Sequence, residues 1–516
     1  MKQGASRPAP ILSLWAVMIV TALIFPLVLG LAMKKGLNHD EHQHIAAGAL
    51  VAREGLRPYL DFPHFHTPYL AYIYAALFHV TDQLLLAARL FTTLCASIMV
   101  GLVGGVAWAL FRGRGRWLAG WACAGAVLLC ITAGLFTQTV GRAWNHEPSL
   151  LFAVLAFISH IAGIERQQRG WLIGSGVLLG VAIGIRLTYA PLVAPFALAL
   201  FFYPIPRWRI APLLSFTGGL FLGSLGFILL FAAAPEQTFF GTFEFAKVNV
   251  IYRLSGEGAP RTMTFLTKIR YLWKEVVRHE LPLLAVALLP SIAAYWDARR
   301  TARVPRFELR FILLLLPFLL FGSFAPSPLF FQYFFPFIPF LILAGLYAVV
   351  SIEPGARCHR ATLSALLVSA ALSAVLGGSA YWRLREPFSV KGWTPIKLHQ
   401  DAANLRSILP AGRLLTLAPI HPLEAGLLIY PAFATGPFAW RVSSHVEAAK
   451  AARIGLITPE TLTARLEAVP PAALLLGFEN TEVDLKNYAR SHGYLPVPLD
   501  EHTLWVAPVQ HALELK

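Results

Sequence analysis

Asp40 and Glu41 stand side by side just past the first long apolar run of the chain, at the mouth of a candidate membrane helix. Two adjacent carboxylates at a membrane surface cost solvation energy unless they serve a cation, a proton transfer or a hydroxyl. Each raises the proton affinity of the other, which suits one of them to work as a base. The competing reading is structural: an acidic pair opening an amphipathic helix, where negative charge favours the N-terminus. Histidines crowd the same stretch, at His39, His42, His44, His64 and His66, and His146 stands beside Glu147 farther on. Two His-x-His pairs with carboxylates have the donor types for zinc or manganese. Residues two apart do not share a helix face, however, and histidines are also at home at a wet interface. A divalent cation is therefore an open option, and no cofactor or metal ligand is assigned. Arg186 interrupts an apolar run. An arginine at membrane depth points to function, unless it snorkels to the interface. Arg57, Arg253 and Arg261 are further cations, in loops.

These groups need a scaffold, and composition says which kind. The 516 residues are 57% apolar and only 14% charged, where a soluble domain holds roughly 25% charged residues. Most of the chain therefore belongs in lipid. The net charge of +16 does not imply nucleic acid, because the arginines sit in short segments between apolar runs and read as a topology signal. The four cysteines show no CxxC metal spacing, and no external disulfide is expected.

A span needs about 20 apolar residues. Eleven runs qualify as candidates: 11–33, 84–111, 117–136, 148–164, 170–187, 188–204, 210–233, 281–296, 310–325, 333–351 and 361–380. Arg186 and Pro191 interrupt 170–204, which reads as two spans or as one span with a re-entrant piece. The fold class is thus mainly α, a polytopic bundle. Lys2 and Arg7, the 112–116 arginines, Arg166 and Arg169, Arg207 and Arg209, Arg299 to Arg306, and Arg357 and Arg360 fall on one side if the N-terminus is cytoplasmic. The first span is too long for a signal peptide and reads as an anchor. This topology predicts a multi-pass protein of the inner or plasma membrane. Residues 1–380 form its membrane domain, with loops 34–83 and 234–280 outside. Residues 381–516 form a small extracytoplasmic α/β domain, with strands expected at Arg413–Ala418, Ala472–Gly477, Tyr494–Val497 and Thr503–Val506. Helical patterns cover Asp401–Leu409 and Glu482–His492, the latter stopped by Gly493.

The loop layout carries a resemblance. Asp40-Glu41, Gly55, Pro58-Tyr59, Asp61, Thr67-Pro68-Tyr69 and Arg89 follow in order. Farther on come Gly176, Gly180, Gly184-Ile185-Arg186, then Gln332-Tyr333, Pro336 and Pro339. This pattern resembles the GT-C membrane glycosyltransferases, in the polyprenyl-phosphate-sugar branch that includes dolichyl-phosphate-mannose protein mannosyltransferases and aminoarabinose lipid A transferases. The resemblance implies a glycosyltransferase with an outward-facing site. It would take one sugar from a polyprenyl-phosphate donor and pass it, with inversion, to a hydroxyl of a lipid, glycan or protein acceptor. Asp40 matches the family's catalytic base, and Glu41 would orient it, bind sugar hydroxyls or share a cation. Substrate contacts are expected at Arg57, Tyr59, Asp61, His66, Asn145, His146, Glu147, Arg186, Gln332 and Tyr333. Related lipid A transferases carry a lysine before the loop proline. Here that position is Thr67, with His66 before it, so the lipid phosphate must find its cation elsewhere, and Arg186 is the best replacement. The Phe330–Phe335 cluster lines a polyprenyl groove or forms an interfacial aromatic belt.

Two rival classes are weighed against this reading. O-antigen ligases and polymerases use a large central outer loop rich in arginine and histidine, and loop 234–280 has few histidines. A lipid-linked-glycan transporter or flippase tends to show paired halves and charged midplane residues. No half-to-half symmetry is visible here.

Overall fold

The computed structural model describes residues 12–202, 210–256, 263–353, 357–382, 389–409, 412–499 and 502–508. Lys2, Arg7, Arg207, Arg209 and Arg261, and the side chains of Arg357 and Arg360, lie outside the described residues.

In hydrocarbon every backbone polar group must be satisfied within the segment, and this makes apolar runs helical. Within the described residues, each of the eleven runs is mainly helical. The first eight helices are α1 (Leu14–Lys34), α2 (His39–Glu54), α3 (Tyr69–Phe78), α4 (Leu84–Phe111), α5 (Arg116–Thr132), α6 (Gly134–Thr139), α7 (His146–Arg166) and α8 (Arg169–Ile185). The later long helices are Ala211–Ala233, Leu281–Arg300, Phe307–Phe324, Phe337–Ser351 and Arg357–Trp382. Among the described residues, eight helices are long and apolar enough to cross a membrane. The chain is a multi-pass membrane protein. The runs at Arg116–Thr132, Arg169–Ile185 and Leu187–Phe201 are shorter. Between the last two, Arg186 is extended and a 3-10 turn covers Leu187–Leu192. The interruption read at Arg186 is therefore a break in the helix.

Small residues set the tightest helix contact. A Cβ on Gly176 of α8 would lie 2.1 Å from the Phe216 carbonyl oxygen, and one on Gly223 would lie 2.2 Å from that of Val177. The two backbones touch, as glycine allows where lipid offers no hydrophobic drive for association. The same surface holds α3, whose Tyr69 hydroxyl donates to the Gly223 carbonyl at 2.9 Å and accepts from the Phe227 N–H at 3.2 Å.

The basic loops meet at one end of the bundle. Arg114 Nη2 donates to the Val350 carbonyl at 3.5 Å, the Arg306 N–H donates to the Ser351 hydroxyl at 3.3 Å, and Arg303 pairs with Glu353 at 3.2 Å. The other end carries α2, α3 and the C-terminal region.

That region holds a five-stranded sheet in the order β2-β1-β3-β5-β4. The strands are β1 (Arg413–Thr416), β2 (Leu428–Ile429), β3 (Ala473–Leu476), β4 (Leu495–Leu499) and β5 (His502–Val506). Strands β2, β1 and β3 are parallel, while β5 and β4 are antiparallel. The four strands expected from the sequence are present, and Gly493 ends its helix at φ +73°. The two-residue β2 is an addition. The sheet region is clamped to the membrane part by polar contacts. Arg413 Nη2 pairs with Glu54 at 2.6 Å, and Arg53 Nη1 donates to the Leu423 carbonyl at 2.6 Å. The Leu85 N–H at the head of α4 donates to Glu424 at 2.6 Å. Lys450 and Arg453 reach Glu244 and Glu236 of the 234–280 loop.

Candidate active site

Helix α2 starts on a capping box. The Asn38 side chain accepts from the Asp40 N–H at 3.0 Å, and Glu41 Oε2 accepts from the Asn38 N–H at 2.9 Å. Two of the orphan donors at a helix start are thereby satisfied. The helix ends on Gly55, whose left-handed φ of +67° suits a residue without Cβ. The capping geometry separates the two carboxylates.

Glu41 turns inward and is fully buried. Arg89 of α4 holds it in a bidentate pair, with Nε to Oε1 and Nη2 to Oε2 both at 2.8 Å. The Ala143 N–H adds a third donor at 2.8 Å. Arg89 spends its remaining donors on the end of α1 and the turn after it: Nη1 on the carbonyls of Ala32 and Lys35, Nη2 on that of Gly36. Glu41 therefore fixes where α1, α2 and α4 meet. It does not share the cleft with Asp40, contrary to the expectation of a paired catalytic group, because Arg89, Asn38 and Ala143 occupy both its oxygens.

Asp40 turns outward and is half-buried. Its surroundings push its carboxyl above the usual range, chiefly through burial, while Arg186, His39 and Arg253 oppose the rise. Arg186 sits at the outer break after α8. Its Nη1 donates to Asn145 Oδ1 at 2.6 Å and reaches His146 Nε2 at 3.1 Å; its Nε donates to Thr188 Oγ1 at 3.0 Å. The guanidinium lies 5.3 Å from the centre of the Tyr333 ring, and that ring stacks on His146. Asn145, His146, Arg186 and Tyr333 thus form one assembly that faces Asp40. Arg253, from the 234–280 loop, completes it over Phe330, with a buried Nε that has no hydrogen-bond partner among the described residues.

The other expected contacts are placed differently. Arg57 and Asp61 close a surface turn on each other, with the Arg57 N–H on Asp61 Oδ2 at 2.7 Å and its Nε on the same oxygen at 3.1 Å. Tyr59 is buried at φ +69°, and its hydroxyl donates to the His66 carbonyl. It braces the loop from behind. Glu147 lies beneath the assembly, where Oε1 accepts from the Gly141 N–H at 2.7 Å and Oε2 has no partner among the described residues. Gln332 lies half-buried in the 3-10 turn Phe331–Phe334 beside Tyr333.

The histidines divide into two groups. The His44 ring lies tilted against that of His66 at 4.7 Å between ring centres, with His64 next to His66 at 6.5 Å. Burial pushes His64 down to about 4 and His66 to about 3, so both are neutral. His42 turns instead toward the C-terminal region, 6.1 Å from His421. The pair His42 and His44 points two ways, as its spacing on a helix requires. Among the described residues no group of three or more His, Cys, Asp or Glu is arranged to hold a metal ion. Sequence reasoning placed Arg89 in the loop pattern but gave it no part in the site, and it missed the outer rim of the cleft, where Arg441 pairs with Glu479 at 2.5 Å and Glu479 meets His39 at 3.4 Å. Arg89 carried the same signal as Arg186, a lone arginine in an apolar run.

The sequence matches the family described as dolichyl-phosphate-mannose-protein mannosyltransferase over residues 65–232. No curated protein sequence matches. The crystal structure of ArnT from Cupriavidus metallidurans in the apo state superposes with a TM-score of 0.60 at 15% identity, over 96% of this chain and 98% of that one. The same enzyme bound to undecaprenyl phosphate gives 0.59 at 14% identity, over 95% and 97%. The chain has a GT-C fold. An archaeal oligosaccharyltransferase from Archaeoglobus fulgidus aligns over 90% of this chain and 70% of its own, with a TM-score of 0.49 at 11% identity. Within this GT-C fold the break at Arg186 and the start of α2 face each other, and the matched stretch 65–232 contains Asn145, His146 and Arg186.

Proposed function

We propose that this protein is an integral membrane glycosyltransferase that moves one sugar from a polyprenyl-phosphate donor to a hydroxyl of a lipid, glycan or protein on the outer face. The observation that carries the reading is the cleft itself, a half-buried Asp40 opposed by Arg186 and Arg253. Asp40 takes the proton of the acceptor hydroxyl as its oxygen forms the new bond to the anomeric carbon. The bond from that carbon to the phosphate oxygen breaks on the opposite face, and the configuration inverts. Arg186 and Arg253 receive the charge that gathers on the departing phosphate. Asn145, His146 and Thr188 fix the Arg186 fork, and Tyr333 covers its face.

An apolar groove of about 640 Å³ begins just past Arg186, lined by Pro191, Val193, Ala197, Pro317, Phe318 and Phe321 among others. It supports a donor with an isoprenoid tail whose phosphate ends at Arg186. Binding of undecaprenyl phosphate by ArnT, which shares the fold, agrees with that choice. In this reading the N-terminus is cytoplasmic, residues 1–380 carry the reaction, and residues 381–516 roof the cleft from outside and contact the acceptor. The membrane is the cell's inner or plasma membrane.

The test supplies polyprenyl-phosphate sugars and a crude acceptor pool to membranes containing wild type or Asp40→Asn. Transfer should fall by about 10²–10⁴-fold in a folded Asp40→Asn protein. Transfer at the wild-type rate would remove Asp40 as the base. The base must be ionised to act, so the wild-type rate should fall on acidification through the raised pKa of Asp40, above the 3.8 of an ordinary aspartate. A rate flat down to pH 4 would contradict that environment.

A further inference from the structure

A second apolar groove starts at the end of the bundle far from Asp40 and runs along α5 from Leu118 to Leu129. It has a volume of about 400 Å³ and runs between α4, α5 and the helices Leu281–Arg300, Phe337–Ser351 and Arg357–Trp382. Every residue lining it is apolar. Its floor is core, with Phe111 and Ile342 fully buried, while Trp121 and Leu367 on its rim are 65% and 57% exposed. A groove of this depth offers dispersion contacts along its whole floor to an apolar chain. Arg89 and Phe111 are 22 positions apart on α4, or about 33 Å at ~1.5 Å per residue, so the Phe111 end of this groove and the cleft lie near opposite membrane surfaces.

Phe111 and Leu118 both line the groove, and the chain between them is Arg112-Gly113-Arg114-Gly115-Arg116-Trp117. All six of these residues are exposed. No Asp or Glu occurs between Gln83 and His146. Of the acids at this end, Glu308 pairs with Arg306 and Glu353 with Arg303, Asp297 accepts from the Glu353 N–H at 3.2 Å, and Glu165 lies beside Glu308 and Arg306. Arg112 and Arg116 form no ion pair among the described residues, and the space around Gly113 and Gly115 is open. A slot for a hydrocarbon chain therefore ends at a loop that carries Arg112 and Arg116 and holds no Asp or Glu in its own sequence.

We infer that this groove is a binding site for an anionic phospholipid, with an acyl chain between α5 and the Arg357–Trp382 helix and the phosphate headgroup on Arg112 and Arg116. A zwitterionic lipid would fill the slot equally well but brings no net charge to the loop, so charge supplies the selectivity. The site is separate from the proposed donor and acceptor sites and does not rest on their assignment.

Gly125 offers a clean test, because a side chain there meets nothing within 4 Å on its own fold and would project into the groove it lines. The full-length protein in neutral detergent is given phosphatidylglycerol or phosphatidylcholine of identical chains, and native mass spectrometry reads the lipid retained. Wild type should retain phosphatidylglycerol at least tenfold more than phosphatidylcholine. Gly125→Phe should lose retention of both while keeping its lipid-free melting temperature. Arg112→Gln with Arg116→Gln should reduce phosphatidylglycerol to the phosphatidylcholine level, with the groove intact. Equal retention of both lipids by wild type would overturn the proposal, and so would unchanged retention in the arginine pair variant. Displacement of phosphatidylglycerol by undecaprenyl phosphate would give the groove to a polyprenyl chain instead. A dimer mass lost in Gly125→Phe would give it to a second copy.

Discussion

Arg89 and Arg186 both stand in apolar surroundings next to the α2 start, yet they differ in what is left over. Arg89 has spent all five donors on protein: two on Glu41 and three on the carbonyls of Ala32, Lys35 and Gly36. Arg186 spends Nε and Nη1 on Thr188, Asn145 and His146, and its Nη2 has no partner among the described residues. A guanidinium with every donor satisfied and a carboxylate in its fork is a joint of the scaffold. One with donors in hand, braced by neutral groups and facing an open cleft, is built for an anion that arrives from outside. Counting donors separates structure from function where burial and residue type do not.

The sharpest way to break this comparison is to cut the joint. Arg89→Met leaves Glu41 buried and unpaired, and loss of one partner of a buried pair costs about 3–5 kcal/mol. The variant should fail to accumulate in membranes or melt far below wild type in detergent. A stable, active Arg89→Met protein would mean that Glu41 is protonated or rewired, and the joint reading would fall. Arg186→Gln should do the reverse. It keeps polar contacts to Asn145 and melts near wild type, while transfer falls by about 10²–10³-fold, the usual cost of one transition-state donor. If its melting temperature falls as far as that of Arg89→Met, Arg186 is a second joint.

How much of this could be read from the sequence follows the range of each interaction. The helices were legible because lipid leaves a long apolar run little alternative to helix. The break at Arg186 was legible from one charge and one proline within 170–204. Most of the tail's sheet was visible in its apolar runs, but the two residues of β2 are too few to show a period. Asp40 stood out as half of an acidic pair at a membrane surface, and Arg186 as a charge within an apolar run. That Glu41 faces away from Asp40 was not legible, because its partner is 48 positions away on another helix. Equally hidden was the outer rim of the cleft, where His39 meets Glu479 from the far end of the chain.

The histidines supply a pH-dependent version of the same contrast. His64 and His66 are held neutral by burial, at about 4 and about 3 against 6.5 for an ordinary histidine. Below about pH 6.5 the unfolded chain takes up protons that the folded one refuses, so stability falls as pH falls. Between pH 6.5 and 5 the loss reaches at most about 2 kcal/mol per histidine. A melting curve of wild type from pH 8 to 5 should slope downward below 6.5, and His66→Asn should flatten part of that slope. A wild-type melting temperature independent of pH over this range would show that the trio opens to water.

The mildest case is the pair nearest the solvent. Arg57 and Asp61 have their charges satisfied by each other on an exposed turn, outside the assembly of Asn145, His146, Arg186 and Tyr333. An exposed pair of this kind contributes little, because water and salt screen it. Arg57→Gln should therefore leave both the melting temperature and the KM for the lipid-linked sugar unchanged, while Arg186→Gln does not. The resemblance to GT-C enzymes placed both residues among the substrate contacts, and the turn gives each a structural partner instead. A KM raised tenfold or more in Arg57→Gln, with Asp61→Asn unaffected, would mean that the turn opens on substrate and lends its arginine to the cleft. The cleft would then hold a third cation, from a part of the loop whose own hydrogen bonds give no reason to expect one.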